Sequence, residues 1–223
     1  MTITDLWPAL GVYYAPLMPS AQSQVWARHL LWSVVMAAVG LGLASRLPRL
    51  PRMARYLPWV LALWAWIPGP WGASYWLGLM FQIPSLTAAF LALSLLLDRP
   101  AHWTPPFSAP ARGESLWGIT WALLAVIAGV LLLLDTFAAF GFSIYQWGFS
   151  PLAFALALMV ALLPWVVAGK QGLRQPSVRG LLAALAAFFL TRWPTGNMWD
   201  AVLDPWLWLF ALVYLLRRPW RRC

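Results

Sequence analysis

Between Arg55 and Asp98 the chain carries no charged residue, and between Glu114 and Lys170 it carries only one, Asp135. Crossing about 30 Å of hydrocarbon takes roughly 20 apolar residues in a helix, and runs of that kind recur along almost the whole sequence. Composition agrees: of 223 residues, 62% are hydrophobic and 9% charged, against about a quarter charged in an ordinary soluble domain. A water-soluble globule is excluded. The net charge of +9 does not mark a nucleic-acid binder, because the basic residues sit in short gaps between apolar runs and not on a polar face.

The runs predict an all-α polytopic membrane protein with about seven transmembrane helices. The first lies near Leu30 to Ala44, between Arg28 and Arg46. The second and third share Tyr56 to Leu97, broken at Pro68-Gly69-Pro70. The remaining four cover Leu116 to Phe140, Leu152 to Ala168, Gly180 to Thr191 and Pro205 to Leu216. Many of the 18 tryptophans fall near the ends of these runs, where amphipathic rings favour the headgroup layer. The first residues have no basic stretch ahead of an apolar one, so no cleaved signal peptide is expected.

Lys and Arg stay preferentially on the cytoplasmic side, which sorts the loops. Arg46, Arg49, Arg52 and Arg55 mark one cytoplasmic loop, Lys170, Arg174 and Arg179 a second, and Arg217, Arg218, Arg221 and Arg222 the tail. Seven crossings with the N-terminus outside and the C-terminus inside satisfy this bias. The basic tail also suits anionic lipid headgroups.

The same punctuation occurs twice in the same order. Asp5-Leu-Trp-Pro-Ala-Leu-Gly11 pairs with Asp135-Thr-Phe-Ala-Ala-Phe-Gly141, Trp66-Ile-Pro-Gly69 with Trp193-Pro-Thr-Gly196, and Trp76 and Pro84 with Trp199 and Pro205. A duplication predicts two parallel three-helix units joined by one crossing helix, a 3+1+3 wiring also used by sugar facilitators, whose sites lie near the midplane between the halves. The units would be residues 1–100 and 143–223, with a linker at 101–115 and a connecting helix at 116–142. Chance likeness between tryptophan-rich apolar stretches is the competing account.

The second and sixth runs end in Trp-Pro-Gly breaks at Pro68-Gly69 and at Pro194 and Gly196. Short, broken segments at matching places in two repeats point to a transporter-like site. The sixth run, 12 residues between Arg179 and Arg192, makes only about 18 Å of helix. Either it lines a cavity, or Trp193 and Trp199 extend it while Arg192 snorkels outward.

A polar site in the membrane is expected from Asp135, Arg192, Asp200 and Asp204. An ionised Asp135 at membrane depth needs a partner, and Arg192 offers a bidentate fork. Asp200 and Asp204, four apart, are read as sharing one face at the entrance of the seventh helix, where acids and Pro205 suit a helix start.

Catalytic constellations are missing. The two histidines, His29 and His102, fall on opposite sides of this topology, which removes a bis-histidine haem or a His-pair metal centre. The lone Cys223 excludes an intramolecular disulfide, and Glu114 is the sole glutamate. Lys170, the only lysine, lies in a basic loop, so no retinal Schiff base is expected. No metal and no cofactor are predicted.

Two functions remain, and the missing catalytic chemistry favours the first over the second. One is a non-catalytic integral subunit of a larger inner-membrane complex, its small-residue faces, such as Ala37, Ala38, Gly40, Gly42 and Ala44, packing against helices. The other is a small solute or ion carrier with its site between the two three-helix units. Partners are then the lipid bilayer and other integral membrane subunits, with no nucleic acid. The excess of Arg over Lys, with abundant Ala, Leu and Pro, points to a GC-rich bacterial genome and hence to the bacterial inner membrane.

Overall fold

The computed structural model describes residues 18–46, 55–98 and 115–217. Asp5–Gly11, Arg49, Arg52, His102, most of the expected 101–115 linker and the tail from Arg218 onward lie outside them. Among the described residues the chain is entirely helical, without strands. Three helices are long and apolar enough to cross a membrane, residues 21–44, 118–136 and 151–168, and several shorter apolar helices accompany them.

Helix α1 (Ala21–Ala44) starts at Ser20, whose hydroxyl accepts the Ser23 N–H at 3.2 Å. It begins well before the expected Leu30, so Arg28 and His29 lie inside a 24-residue helix of about 36 Å. Helix α2 (Leu57–Trp64) packs against α1 where a Cβ at Gly40 would fall 2.7 Å from Pro58 Cα. Only glycine allows that approach.

The uncharged stretch from 56 to 97 breaks twice, and the sequence reading placed only the first break. A 3-10 turn at Gly69–Trp71 follows Pro68, with Gly69 at φ +66°. Helix α3 (Ala73–Phe81) is then stopped by Gln82 at φ 61° and by Pro84. Helix α4 (Leu86–Asp98) follows, its first turn capped by the Ser85 hydroxyl, which accepts the Ala88 N–H at 3.1 Å. Pro84 supplies no N–H and fixes its own φ, which separates the two helices.

Helix α5 (Ser115–Thr136) packs mainly on α11 (Pro205–Arg217). A Cβ at Gly129 would lie 2.2 Å from the Trp208 ring, and the Trp208 indole donates to the Val126 carbonyl at 3.3 Å. Away from that seam α5 is bare, with 6% of its span buried against 33% for α1. After the short α6 (Ile144–Trp147), α7 (Pro151–Ala168) runs back to a turn at Gly169. The single turn α8 (Lys170–Leu173) leads into α9 (Pro176–Thr191), which starts four residues before the expected Gly180. Its 16 residues make about 24 Å of helix, so the sixth run is longer than predicted. Arg192 ends α9 in the left-handed conformation, φ 58°, and the five-residue α10 (Met198–Val202) precedes α11.

The core gathers where α1, α4, α7, α9 and α10 meet, around Leu31, Leu86, Leu185, Phe188 and Met198. Alanines fill the gaps between them, including Ala27, Ala161, Ala184 and Ala201, all fully buried. In lipid the hydrophobic effect does not pull helices together, so dispersion at such close approach stands in for it.

Candidate functional site

Helix breaks leave carbonyls and N–H groups without intrahelical partners, and no water is at hand in hydrocarbon to satisfy them. Tryptophan does so here. The indole N–H groups of Trp32, Trp64, Trp76 and Trp199 donate to the carbonyls of Gln82, Trp71, Pro70 and Ile144, at 2.7 to 3.0 Å. These rings pin irregular backbone at one end of the bundle, where α1 and α4 begin and α5 and α9 end.

Two polar clusters form at that end. In the first, the His29 Nδ1–H donates to the Ala65 carbonyl at 2.7 Å, with the buried Ser74 hydroxyl 2.9 Å from the same nitrogen and the Trp66 ring stacked on the imidazole. That N–H must sit on Nδ1, since a carbonyl only accepts. His29 therefore joins α1 to the end of α2.

Asp135 organises the second cluster. One carboxylate oxygen accepts the Ile144 N–H at 3.0 Å, and the other accepts the Tyr145 N–H and the Ser143 hydroxyl, both at 2.9 Å. The expected pairing with Arg192 does not form. Arg192 instead places its guanidinium 5.3 Å from the Phe188 ring centre, a cation–π contact within its own helix. Asp135 thus caps the turn of α6 with three donors, which removes its need for a cation.

Tyr145 links this cap to Asp200, donating its hydroxyl to the carboxylate at 2.8 Å, and Thr195 donates to the same oxygen. Burial, and then the Asp200 carboxylate, push the Tyr145 phenol well above its ordinary range. The fully buried Asn197 donates to the Tyr145 carbonyl at 2.9 Å and accepts the Trp199 N–H at 2.9 Å, starting α10. Gly148 lies against it so closely that a Cβ would fall 1.8 Å from Asn197 Oδ1.

Asp200 and Asp204 do not share one helix face. Asp200 lies on α10, whereas Asp204 follows an extended Leu203 and starts α11. Asp204 is buried; one oxygen accepts the Leu207 N–H and the other the Ser85 N–H, each at 2.8 Å. A single carboxylate therefore caps α11 and holds the start of α4.

A cleft of about 330 Å³ separates these segments, lined on one side by Gln24, Arg28, Gly78 and Gln82 and on the other by Pro194, Thr195, Asp200 and Asp204. Arg28 is its cation. The Arg28 side chain runs past Gly78, where a Cβ would lie 3.1 Å from Arg28 Cδ, and its buried Nε–H has no hydrogen-bond partner among the described residues. Pro68, Gly69 and Gly196 shape turns and do not line the cleft. Sequence reasoning used Arg28 only as the edge of the first run. The signal was present: Ser20 before an apolar periodic segment is a helix start, which places Arg28 two turns inside.

Among the described residues, no three His, Cys, Asp or Glu side chains stand together as a metal site. In comparisons with known proteins, the chain matches no family model, no curated sequence and no solved structure.

Proposed function

We propose that this chain is a small membrane carrier that binds a solute in the cleft between its two halves. The observation that carries the reading is Arg28, a cation inside a candidate membrane span with a buried donor unused, facing Asp200 and Asp204 across a cavity. An intramembrane charge is expensive unless paired, and such residues mark solute pathways. Arg28 and Asp200 offer opposite charges, so the matching solute is small and zwitterionic, its carboxylate on the guanidinium and its amine toward Asp200.

The proposed architecture is a duplicated three-helix unit in 3+1+3 order, seven crossings, N-terminus outside, in a bacterial inner membrane. Support comes from the element order: α2, break, α3, break, α4 has the same form as α9, break, α10, break, α11. In each series the last helix starts at a capping residue, Ser85 or Asp204, and those two caps bond to each other.

Uptake of labelled neutral amino acids into proteoliposomes tests the reading. Wild-type uptake that falls at least tenfold in Arg28→Gln and Asp200→Asn, both still folded by circular dichroism, supports it. Absence of uptake together with a stoichiometric co-purifying membrane protein supports the second reading, a non-catalytic subunit. The bare surface of α5, only 6% buried, favours that alternative. Reporter fusions placing Gln146 on the same side as the basic tail refute the topology.

A further inference from the structure

Two cavities meet along α10 and Leu203. One is an apolar groove, bounded by α5 and α11 on one side and by α4, α7 and α9 on the other. Its lining is mostly hydrocarbon, which attracts apolar groups without telling one from another. The other is the polar cleft, and subtracting the hydrogen bonds already made inside the protein leaves the groups that a solute would meet there.

Six polar side chains line the cleft: Gln24, Arg28, Gln82, Thr195, Asp200 and Asp204. Both Asp204 oxygens are taken by backbone N–H groups, and the Thr195 hydroxyl donates to Asp200 and accepts the Asn197 N–H at 3.2 Å. Asp200 keeps one oxygen, Oδ1, after Tyr145 and Thr195 have bonded to the other. Gln24 donates from its amide nitrogen to the Pro19 carbonyl at 3.1 Å and keeps its oxygen. The Arg28 guanidinium and the Gln82 carboxamide make no hydrogen bond among the described residues. What remains is one cation, one carboxylate oxygen, one amide oxygen and one whole carboxamide.

That carboxamide is placed with unusual firmness. Gln82 ends α3 at φ 61° and ψ −137°, a conformation left almost entirely to glycine. Its N–H donates to the Gly78 carbonyl at 3.1 Å, and its carbonyl accepts the Trp32 indole N–H from α1 at 3.0 Å. Glycine would hold the same turn with less strain. What glutamine adds is an exposed side chain that lines the cleft.

We propose that Gln82 is the specificity residue of the polar cleft, and that the solute is an amino acid whose side chain ends in a carboxamide. This rests on the carrier reading above, in which Arg28 takes the solute carboxylate and Asp200 its amine. With both charges so engaged, Gln82 is left for the solute side chain. A carboxamide donates through nitrogen and accepts through oxygen, so its full complement is a second carboxamide, and the Gln24 oxygen offers that partner a further acceptor. An apolar side chain of equal length would leave these groups unpaired, which is how a polar site discriminates against it.

The test titrates purified full-length protein in lipid nanodiscs with L-glutamine and with L-methionine, which is close to it in length, and the rise in melting temperature gives each apparent affinity. One neutral hydrogen bond is worth about two- to tenfold, so wild type should bind glutamine at least about fivefold more tightly. Gln82→Leu should bring the two amino acids within about twofold of each other while leaving methionine binding as it was. Gln82→Gly should also lose the preference, yet melt no lower than wild type without ligand, because glycine relieves the strained φ. Equal binding of the two amino acids by wild type, or an unchanged preference in either variant, overturns the assignment of Gln82 and leaves the carrier reading standing. So does a Gln82→Gly protein that melts several degrees lower, which makes the residue a structural brace. Wild type that binds neither amino acid overturns the assignment too, and the carrier reading falls with it only where uptake of the other neutral amino acids is also absent.

Discussion

Replacing Asp204 by Ala should be among the most damaging single changes in the chain, and the hydrogen bonds say by how much. The carboxylate caps α11 through Leu207 and satisfies the Ser85 N–H, both inside the protein. Losing an N-cap costs about 0.5 to 2 kcal/mol, and orphaning a buried N–H costs about 1 to 3 kcal/mol. Their sum, about 1.5 to 5 kcal/mol, is a large part of a typical total of 5 to 15 kcal/mol. Asparagine keeps one carbonyl acceptor and is as good an N-cap as Asp, so Asp204→Asn should lose about half as much, through the Ser85 contact alone. Unfolding in lipid nanodiscs, followed by tryptophan fluorescence, measures both variants. An Asp204→Ala loss below about 1 kcal/mol refutes the idea that this carboxylate ties α4 to α11. Equal losses in the two variants refute the division between cap and tie.

Tyr145 predicts a pH dependence. Its phenol titrates higher when folded than its ordinary value of 10.0, so its contribution is complete below about pH 10 and is lost as pH rises through the folded value. Thermal unfolding from pH 8 to 11.5 should show stability declining at the alkaline end, with a shallower decline in Tyr145→Phe; parallel curves contradict this. Gly148→Ala should destabilise by about 2 kcal/mol or more, because its Cβ would fall 1.8 Å from Asn197 Oδ1, and Asn197→Ala in the same background should recover part of the loss. Gly129→Ala should separate α5 from α11, since the new methyl would meet the Trp208 ring at 2.2 Å; faster proteolysis after Arg112 or Lys170 reports it.

The apolar runs made the helices legible, because hydrocarbon demands long uncharged segments whatever the tertiary fold. Helices α5, α7 and α11 begin within a residue or so of the expected positions. Errors arose where local capping decides. Ser20 starts α1 a full two turns before Leu30, and the second break in the 56–97 stretch comes from Gln82 and Pro84, which carry no charge to mark them. Of the four acids and bases singled out, Asp135, Asp200 and Asp204 fall at the same end of the bundle, and Arg192 takes no part in their hydrogen bonds. Charge pairing was the natural expectation in lipid, but backbone N–H groups beside helix breaks took the carboxylates of Asp135 and Asp204, and the Tyr145 and Thr195 hydroxyls took that of Asp200. The apolar groove was invisible because it depends on α5 packing on α11, a contact made by Gly129 and Trp208 from distant parts of the sequence.

The polar cleft and the apolar groove share one wall. Leu203, half-buried in the extended link between α10 and α11, lines both, while Asn197 and Asp204 fix the ends of its segment. A polar cavity beside an apolar one is stable only while water stays on its own side, since hydrating an apolar lining gives up dispersion contacts without returning hydrogen bonds. Leu203→Ala removes most of that partition. With Cys223→Ser as background, a thiol introduced by Val202→Cys faces the groove and should react slowly with a charged, water-borne methanethiosulfonate. Adding Leu203→Ala should raise that rate at least tenfold, at a stability cost of about 1 to 2 kcal/mol, below the range for a fully buried leucine. Were Val202→Cys already fast with Leu203 in place, or still slow without it, the two cavities would not be divided by this residue, and the polar cleft would have to be closed by the Asp204–Ser85 tie instead.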